Sequence, residues 1–349
     1  MNSNIHDIRG ASHPLDKLAR PLHDLRISVM DRCNFRCPYC MPKQQFHENY
    51  QFLKSNERLS FDEIVRLSRL FAGLGVKKLR LTGGEPLLRN NLADLIGDLT
   101  GIPGIEDIAL TTNGVLLASH AVDLRANGLE RITVSLDTLD KDIFKQLSGG
   151  FAALDQVLGG IDAAIAAGLT PVKINAVIER GVNDEGALDL IEHFRGTPVV
   201  VRFIEFMDVG NRNHWRPTMV VPSRELVERV NARWPIRPVS PNYRGEVAER
   251  WRFEDGAGEI GFVSSISQPF CGACSRARLS SEGKFYTCLF ATHGTDLRAA
   301  LRNGADDAEL LRIIRTVWTG RTDRYSELRE ELRKTDQDEK KIEMYYIGG

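Results

Sequence analysis

The sequence predicts an α/β protein built as an incomplete six-stranded (βα) barrel, with a smaller C-terminal region that closes the mouth of the barrel. Strand-like and helix-like segments alternate from about residue 25 to residue 207, which indicates a mostly parallel sheet with right-handed crossovers. Unusual polar residues follow the ends of the strand-like segments. A barrel gathers such ends around one mouth, whereas the competing doubly wound open sheet would spread them along an edge. We therefore favour the barrel.

The alternation places strands and helices at definite positions. The predicted strands are residues 25–29, 78–82, 105–112, 131–136, 171–178 and 199–206. Ser60 and Glu63 form a capping box at the start of the first long helix, in which Ile64, Leu67 and Leu70 recur at helical spacing. The later helices are predicted at residues 92–99, 118–126, 154–167 and 188–194.

The chain divides into four parts at this level. Residues 1–20 are a polar N-terminal extension that we expect to be loosely held, and residues 21–235 form the barrel. Residues 236–332 form the C-terminal region, which opens with a proline-rich stretch, 236–242, that is typical of a connection. Residues 333–349 are a charged tail that ends in Gly-Gly, and its charge-dense part, residues 334–341, is expected to be solvated.

Composition restricts the classes of function. Of the 349 residues 42% are hydrophobic and 27% charged, as in soluble globular proteins. Lys plus Arg number 46 against 47 for Asp plus Glu, so no global basic field attracts nucleic acid, and an anionic ligand needs a local cluster of cations. The polar N-terminus does not resemble a secretory signal, and no apolar run is long enough to span a membrane. We expect a cytoplasmic protein.

All six cysteines lie in two groups of three. Cys33, Cys37 and Cys40 have C-x3-C-x2-C spacing directly after the first strand. Three thiolates can hold three irons of an iron–sulfur cube and leave the fourth iron open. By spacing alone, a structural zinc site or three unrelated thiols stay possible. Grouping in threes within a long chain argues for metal binding in a reducing compartment rather than for disulfides.

The second group is Cys271, Cys274 and Cys288, and Arg276 and Arg278 follow its second cysteine. Zinc, with His293 as a fourth ligand, is one interpretation of this spacing. A second cluster with an open iron is the other. Two arginines beside an open iron suit a substrate that carries phosphate, because guanidinium binds phosphate oxygens in a bidentate manner.

A third motif, Gly83-Gly84-Glu85-Pro86, follows the second strand. Glycines let a ligand approach the backbone, and the Glu85 carboxylate can accept from an ammonium group. An ordinary turn is the alternative interpretation.

The cysteine loop, with the aromatic Tyr39 before its last cysteine, and the GGEP loop resemble those of the radical S-adenosylmethionine enzymes. Both cysteine groups, Arg276-x-Arg278, the loop Thr111-Thr112-Asn113-Gly114 and the Gly-Gly terminus together resemble one family, the GTP 3',8-cyclases (molybdenum cofactor biosynthesis protein A). The resemblance runs from about residue 25 to residue 349. It implies the barrel fold with a C-terminal Fe–S domain.

The resemblance also implies roles for individual residues. The first cysteine group would hold the [4Fe–4S] cluster that binds S-adenosylmethionine, and the second an auxiliary [4Fe–4S] cluster that meets the guanine ring. Contacts to S-adenosylmethionine are implied for Tyr39, Gly84, Glu85, Ser135 and Met207. Contacts to GTP are implied for Arg26, Lys78, Arg80, Thr111, Lys173, Arg202, Arg276, Ala277 (through its backbone) and Arg278. Catalytic roles are implied for Arg276, Arg278, Gly348 and Gly349.

The reaction that the resemblance implies is a lyase reaction. Reductive cleavage of S-adenosylmethionine yields a 5'-deoxyadenosyl radical that abstracts hydrogen from C3' of GTP, and the C3' radical adds to C8 of guanine. The implied partners are GTP, an external one-electron reductant and the next enzyme of the pathway, cyclic pyranopterin monophosphate synthase, with the chain a monomer or homodimer. No nucleic acid or membrane partner is expected. A peptide-modifying radical enzyme and a non-catalytic Fe–S electron carrier are the alternatives.

Overall fold

The computed structural model describes residues 13–335 and 340–348, and its framework is a single 12-stranded sheet. The strands are β1 (Asp24–Met30), β2 (Lys78–Gly83), β3 (Asp107–Thr112), β4 (Arg131–Ser135), β5 (Val172–Ile178), β6 (Val199–Glu205), β7 (Ile236–Val239), β8 (Glu249–Phe253), β9 (Glu259–Val263), β10 (Arg276–Leu279), β11 (Lys284–Tyr286) and β12 (Thr295–Asp296). The helices are α1 (Phe61–Gly73), α2 (Leu92–Thr100), α3 (Leu117–Ala126), α4 (Lys141–Leu147), α5 (Leu154–Ala166), α6 (Ala187–Phe194), α7 (Ser223–Arg233), α8 (Leu297–Arg302), α9 (Asp307–Thr319), α10 (Tyr325–Thr335) and α11 (Met344–Ile347).

Strands β1 to β6 confirm the barrel. They are parallel neighbours in sequence order, without the reversal of order that defines a doubly wound sheet. Right-handed crossovers between successive strands place the connecting helices on one face of such a sheet. Each predicted strand is present, with ends that differ by at most two residues. Helix α4 was not predicted.

Burial alternates along the strands, and this alternation separates the packed core from the polar interior. In β5, Val172, Ile174, Ala176 and Ile178 are buried, whereas Lys173 and the other intervening residues are only partly buried. Successive side chains of a strand point to opposite faces, so the apolar set packs against the helices and the polar set faces the inside of the barrel.

The capping box of α1 is confirmed. The backbone N–H of Glu63 donates to Ser60 Oγ at 3.1 Å, and the backbone N–H of Ser60 donates to Glu63 Oε2 at 2.7 Å. These bonds satisfy two backbone donors at the start of the helix, which fixes where the helix begins.

The C-terminal region continues the barrel sheet at both of its edges. Strand β10 lies parallel beside β1, and β9 lies parallel beside β6, while the remaining strands β7, β8, β11 and β12 add in antiparallel pairs. The expectation of a connection at residues 236–242 is wrong for its first half, because Ile236–Val239 is strand β7 and pairs with β8.

The second cysteine group lies at the end of the barrel where the parallel strands begin. Asp24 pairs with Arg276, and the backbone N–H groups of His23 and Asp24 donate to the Ser275 carbonyl, so Cys274 lies just below the start of β1. These cysteines therefore do not lie at the mouth of the barrel, where the strands end. Parallel pairing of β10 with β1 carries them to the opposite end.

The segments near both termini are better ordered than the sequence predicts. Residues 13–20 are not loosely held, since Arg20 is 1% exposed and its Nε lies 2.6 Å from Asp16 Oδ2. In the tail, Lys341 Nζ lies 3.1 Å from Asp208 Oδ2, so the expectation that residues 334–341 are solvated is wrong at Lys341. Further along the tail, Ile347 is fully buried. Residues 1–12, 336–339 and Gly349 lie outside the described residues. No helix in the described part of the chain has the length and apolar character needed to span a membrane.

Candidate active site between two cysteine loops

The first cysteine loop leaves the C-terminal end of β1 and holds three half-buried thiols. Burial raises the pKa of the Cys33 thiol to about 12, and burial also raises the pKa values of Cys37 and Cys40. The donors to these sulfurs are uncharged: the backbone N–H of Phe35 lies 3.3 Å from Cys33 Sγ, and the backbone of Tyr345 hydrogen-bonds to Cys40. Metal binding here has to displace thiol protons.

The GGEP loop braces the cysteine loop through its backbone. The N–H of Gly84 donates to the Met30 carbonyl at 2.7 Å, and a Cβ added at Gly84 would lie 2.3 Å from the Arg32 carbonyl oxygen. A Cβ at Gly83, whose φ is +152°, would lie 2.3 Å from the Met30 carbonyl oxygen. The close approach that requires these glycines is therefore to the protein's own backbone.

Glu85 joins the GGEP loop to the loop after β3. Its carboxylate accepts from Thr112 Oγ1 at 2.7 Å, from the N–H of Asn113 at 2.8 Å and from the N–H of Leu87 at 3.0 Å. Glu85 is 1% exposed, and burial raises its pKa to about 7. In this arrangement Glu85 orders the loops, and its contact with an ammonium group stays a prediction.

The same loop reaches the cysteines through Asn113, a residue that the sequence analysis did not assign. Its Nδ2 donates to Asn34 Oδ1 at 2.6 Å and lies 3.8 Å from Cys33 Sγ. The position of Asn113 in the run Thr112-Asn113-Gly114, directly after a strand, is the feature of the sequence that could have identified it.

The residues predicted to contact S-adenosylmethionine follow the C-terminal ends of neighbouring strands. Ser135 ends β4 and pairs in register with Asn175 of β5, whose buried Oδ1 has no hydrogen-bond partner within the described chain. The Tyr39 hydroxyl donates to Asp137 Oδ2 at 2.9 Å, and burial raises the pKa of Asp137 to about 6. Met207 follows β6 and is only partly buried, so it is not a core-filling residue.

The predicted GTP-binding cations line the inside of the barrel on five strands. Arg26 of β1 lies in register between Arg80 of β2 and Arg278 of β10. Lys173 pairs with Thr133, and Arg202 pairs with Asn175. These cations lie in the first half or the middle of their strands. The cysteine loop and the GGEP loop occupy the C-terminal ends.

Side-chain hydroxyls order two of these guanidinium groups. Arg80 Nη1 donates to Thr111 Oγ1 at 3.0 Å and to Thr133 Oγ1 at 3.1 Å, and Arg202 Nη2 lies 3.3 Å from the same Thr133 oxygen. The buried Nε of Arg202 has no hydrogen-bond partner among the residues that the structure covers. Thr133 was not predicted from the sequence, because a threonine inside a strand resembles any β-forming residue.

Carboxylates are scarce around these cations. Lys78 Nζ lies 3.1 Å from Asp107 Oδ2, and Asp107 also accepts from Arg131. The other cations of the predicted site have no carboxylate within 4.0 Å among residues 13–335 and 340–348; they are Arg26, Arg80, Lys173, Arg202, Arg276 and Arg278. Burial, and then the charge of Arg202, lower the pKa of Lys173 to about 7. Uncompensated buried cations favour an anionic ligand.

In the second cysteine loop, Cys274 has charged donors at its sulfur, whereas Cys288 accepts from the backbone N–H of Phe290 at 3.5 Å. Arg276 Nη2 lies 3.2 Å and Arg321 Nη2 lies 3.4 Å from Cys274 Sγ. Burial alone would raise the pKa of the Cys274 thiol, but these two guanidinium charges lower it to about 6. Cys288, by contrast, has its pKa raised to about 11 by burial. A cavity of about 580 Å³ opens beside Cys288. Ala277 is fully buried and points away from Arg276 and Arg278.

The C-terminal tail enters the barrel from the side of the first loop. Arg278 Nη1 donates to the Gly348 carbonyl and lies 3.4 Å from the Ile347 carbonyl oxygen. A Cβ at Gly348 would lie 2.2 Å from Thr82 Cγ2, and its φ of +68° favours glycine. The tail therefore bridges Cys40, through Tyr345, and Arg278. The role predicted for Gly349 falls outside the described residues.

The donor sets fit iron–sulfur clusters better than a single metal ion. Each loop offers three thiols, which is the donor chemistry of a cluster with one open iron. Within residues 13–335 and 340–348, no three His, Cys, Asp or Glu side chains are grouped tightly enough to hold one ion. His293, the fourth ligand of the zinc interpretation, bonds instead through Nδ1 to Thr292 Oγ1 at 2.9 Å.

Comparison with known proteins agrees with this geometry. Residues 27–194 match the family described as Radical SAM superfamily, and residues 199–327 match Molybdenum Cofactor Synthesis C. A GTP 3',8-cyclase of Xanthomonas campestris pv. campestris is 55% identical over 334 residues, which cover 96% of this chain and 97% of that protein. A GTP 3',8-cyclase of Acidothermus cellulolyticus is 50% identical over 356 residues, with 96% and 98% covered.

A solved structure supports the fold. Streptococcus suis SuiB bound to S-adenosylmethionine has a TM-score of 0.57 and 16% sequence identity, and the match covers 84% of this chain and 68% of that chain. At this identity the likeness shows the fold alone.

Proposed function

The chain belongs to the family of GTP 3',8-cyclases within the radical S-adenosylmethionine superfamily, and we propose that its barrel holds GTP between two iron–sulfur sites, one at each end of the parallel strands. The family's reaction makes it a lyase that joins C3' of the GTP ribose to C8 of guanine in the first step of molybdenum cofactor biosynthesis. Strand β1 has seven residues and spans about 20 Å at about 3.3 Å per residue, and the two cysteine loops lie beyond its opposite ends, which leaves room for a nucleotide between them.

The observation that carries the proposal is the set of interior cations without carboxylate partners. They come from β1, β2, β5, β6 and β10 and face one space between the cysteine loops. A triphosphate carries several negative charges and accepts bidentate bonds from guanidinium, so it compensates such a set where a neutral ligand would leave it unpaired. The orphan Nε of Arg202 supports this assignment, because it needs an acceptor from a ligand.

The two ends of the barrel take different tasks in this proposal. At the C-terminal end, Cys33, Cys37 and Cys40 would hold the cluster, and Ser135 and Met207 would contact S-adenosylmethionine. When bound by these cysteines, such a cluster would supply one-electron reduction for cleavage of S-adenosylmethionine. The residues of the chain position the ribose, keep water out of the barrel and hold the triphosphate.

At the other end, Cys271, Cys274 and Cys288 would hold an auxiliary cluster beside the guanine ring. Arg276 and Arg278 face this end, and Arg278 also fixes the tail through the Gly348 carbonyl. The buried tail closes the interior over β1 and β2, which restricts solvent at the reacting carbons. An external one-electron reductant and cyclic pyranopterin monophosphate synthase, as acceptor of the product, belong to the same proposal.

A panel of nucleotides tests the proposal. The anaerobically reconstituted and reduced protein is incubated with S-adenosylmethionine and with GTP, ATP, CTP or UTP in turn, and 5'-deoxyadenosine and the cyclised nucleotide are measured by chromatography. We expect 5'-deoxyadenosine above background with GTP and the cyclised product from GTP only. Equal 5'-deoxyadenosine formation with all four nucleotides, and no nucleotide product, would overturn it. If the protein were instead a peptide-modifying radical enzyme or a non-catalytic electron carrier, no nucleotide product would form.

A further inference from the structure

A buried ionic network joins the N-terminal segment to the second cysteine loop. Its members are Asp16, Arg20 and Arg321, whose side chains are 0%, 1% and 1% exposed. Arg20 Nε lies 2.6 Å and Arg321 Nη1 lies 3.5 Å from the same oxygen, Asp16 Oδ2. Charged groups this deeply buried are costly unless their geometry is well satisfied, and nothing in the proposed GTP site uses them.

The network holds the backbone of both cysteines at the start of the loop. Arg20 Nη1 donates to the Cys271 carbonyl at 2.8 Å, and Arg321 Nη1 donates to the Cys274 carbonyl at 2.7 Å. Asp16 in turn orders its own segment by accepting from the N–H groups of Leu18 and Arg20, each at 2.9 Å. Trp318 packs against the network: its Nε1 donates to the Arg20 carbonyl at 3.2 Å, and Arg321 Cζ lies 4.7 Å from the centre of its ring.

The network also reaches a sulfur atom directly. Arg321 Nη2 lies 3.4 Å from Cys274 Sγ, and its Nε lies 3.1 Å from Asp323 Oδ2. Hydrogen bonds and positive charge at a thiolate sulfur stabilise the more negative, reduced form of a cluster. The carboxylate of Asp16, which pairs with the Arg321 guanidinium, offsets that positive charge and so disfavours the reduced form.

We propose that Asp16, Arg20 and Arg321 are positioning residues of the second cysteine site, which fix the Cys271–Cys274 turn and set the reduction potential of the cluster bound there. The inference rests on the proposed function, since it requires the auxiliary cluster. In this proposal residues 13–20 support the second cysteine site and do not contact GTP.

The test uses the full-length chain in which Cys33, Cys37 and Cys40 are all replaced by Ala, so that only the second site can bind a cluster. Arg321→Met, Arg321→Lys, Asp16→Asn and Arg20→Lys are made in this background. The matched control is Arg195→Met, because Arg195 also lies over a tryptophan, Trp234, and pairs with an aspartate, Asp255, far from the cysteines. Iron content after reconstitution, iron retained against a chelator, and the midpoint potential from EPR-monitored titration are measured.

The expected shifts have opposite signs. Arg321→Met moves the midpoint potential to a more negative value, and Asp16→Asn moves it to a more positive value, while Arg195→Met leaves it unchanged. Arg20→Lys keeps the charge but cannot keep both Nε and Nη1 bonds, so iron retention falls by about 10- to 100-fold, as for other groups that orient metal ligands. Arg321→Lys, which keeps the charge, shifts the potential less than Arg321→Met does.

Two results overturn the inference, and they are distinguishable. If the background protein binds iron but Arg321→Met and Asp16→Asn shift the potential in the same direction or not at all, the network does not tune the site. If the background protein binds no cluster although it is folded by circular dichroism, the auxiliary cluster of the proposed function is itself wrong. Reduced iron binding in Arg20→Lys together with opposite shifts in the other variants supports the inference.

Discussion

The first cysteine loop has uncharged donors at its sulfurs, whereas the second has arginines. Around Cys33 and Cys40 the sulfur partners are backbone N–H groups and Asn113, and the arginine of this loop, Arg36, donates instead to the carbonyls of Cys33 and Phe35. At Cys274 two guanidinium groups lie within 3.4 Å of the sulfur. Equal numbers of thiols therefore lie in different electrostatic surroundings.

This difference suits different tasks. Uncompensated negative charge favours the oxidised form of a cluster, so the first site is suited to a strong one-electron donor. Positive charge at the second site lowers the electrostatic cost of placing a polyphosphate nearby. The interior cations lie between the two sites, so a nucleotide held by them faces both.

Replacing one cysteine in either site should have the largest effect on activity, and the two replacements should affect different steps of the reaction. We expect Cys37→Ala to abolish 5'-deoxyadenosine formation and the cyclised product. Cys271→Ala should retain cleavage of S-adenosylmethionine and lose the cyclised product. Chromatography of both products, with iron content as the control for loading of the remaining site, checks this. Cyclised product from Cys271→Ala would show that the second site is dispensable.

Arg278 connects the second site to the tail, and its replacement should have the next largest effect. Arg278→Met removes the donor to the Gly348 carbonyl and a cation beside the second cysteines. We expect the rate of product formation to fall by about 10²- to 10³-fold, as for loss of one preorganised charged donor. Arg233→Met, on the exposed face of α7, is the control. A loss of less than about threefold would contradict the role of Arg278.

Lys173 lies between the sites and should make GTP binding depend on pH. Its pKa of about 7 lies below the ordinary value for lysine, so in the free protein it loses its proton as the pH rises through 7. A bound triphosphate favours the charged form, so GTP binding takes up a proton above pH 7, and the affinity falls by up to about tenfold per pH unit. Calorimetry in buffers of different ionisation enthalpy measures the uptake.

The control for that measurement is Lys173→Met, which should bind GTP more weakly and show a much flatter pH dependence above pH 7. The exposed Lys141→Met should behave as the unaltered protein does. An unaltered proton uptake in Lys173→Met would assign the titration to another group.

Glu85 orders the first site only, and its replacement should have the smallest effect. In Glu85→Gln an amide nitrogen replaces one acceptor oxygen, which leaves a buried donor of Thr112, Asn113 or Leu87 without its bond. We expect a loss of about 1–3 kcal/mol in the free energy of unfolding, with iron binding at the second site unchanged. Denaturant unfolding and iron content measure this, and equal iron loss at both sites would contradict it.

Local pattern in the sequence was sufficient to predict the barrel. Strand positions follow from alternating burial along each strand, and the capping box at Ser60 uses residues only three positions apart. The cysteine spacings and the cations embedded in apolar strands are local as well. The resemblance to a family added the expectation of iron–sulfur clusters, where spacing had left both iron–sulfur and zinc open.

Long-range pairing could not be predicted from local pattern. The position of Cys274 depends on β10 lying parallel to β1, which joins residues far apart in the chain. The buried network of Asp16, Arg20 and Arg321 has the same origin, since its members look like ordinary solvated charges in sequence. The packing that requires glycine in the GGEP loop has the same origin, because the backbone of Met30 and Arg32 that it contacts is remote in sequence.

By itself the sequence determined which residues form the strands, which side chains face the barrel interior and that the thiols come in two groups of three, because periodicity and close spacing are properties of neighbouring residues. Only the tertiary structure decided that the two cysteine loops occupy opposite ends of the barrel, that the tail lies between them, and which charges remain without partners among the described residues. Those outcomes depend on strand order and on burial, which no short stretch of chain specifies.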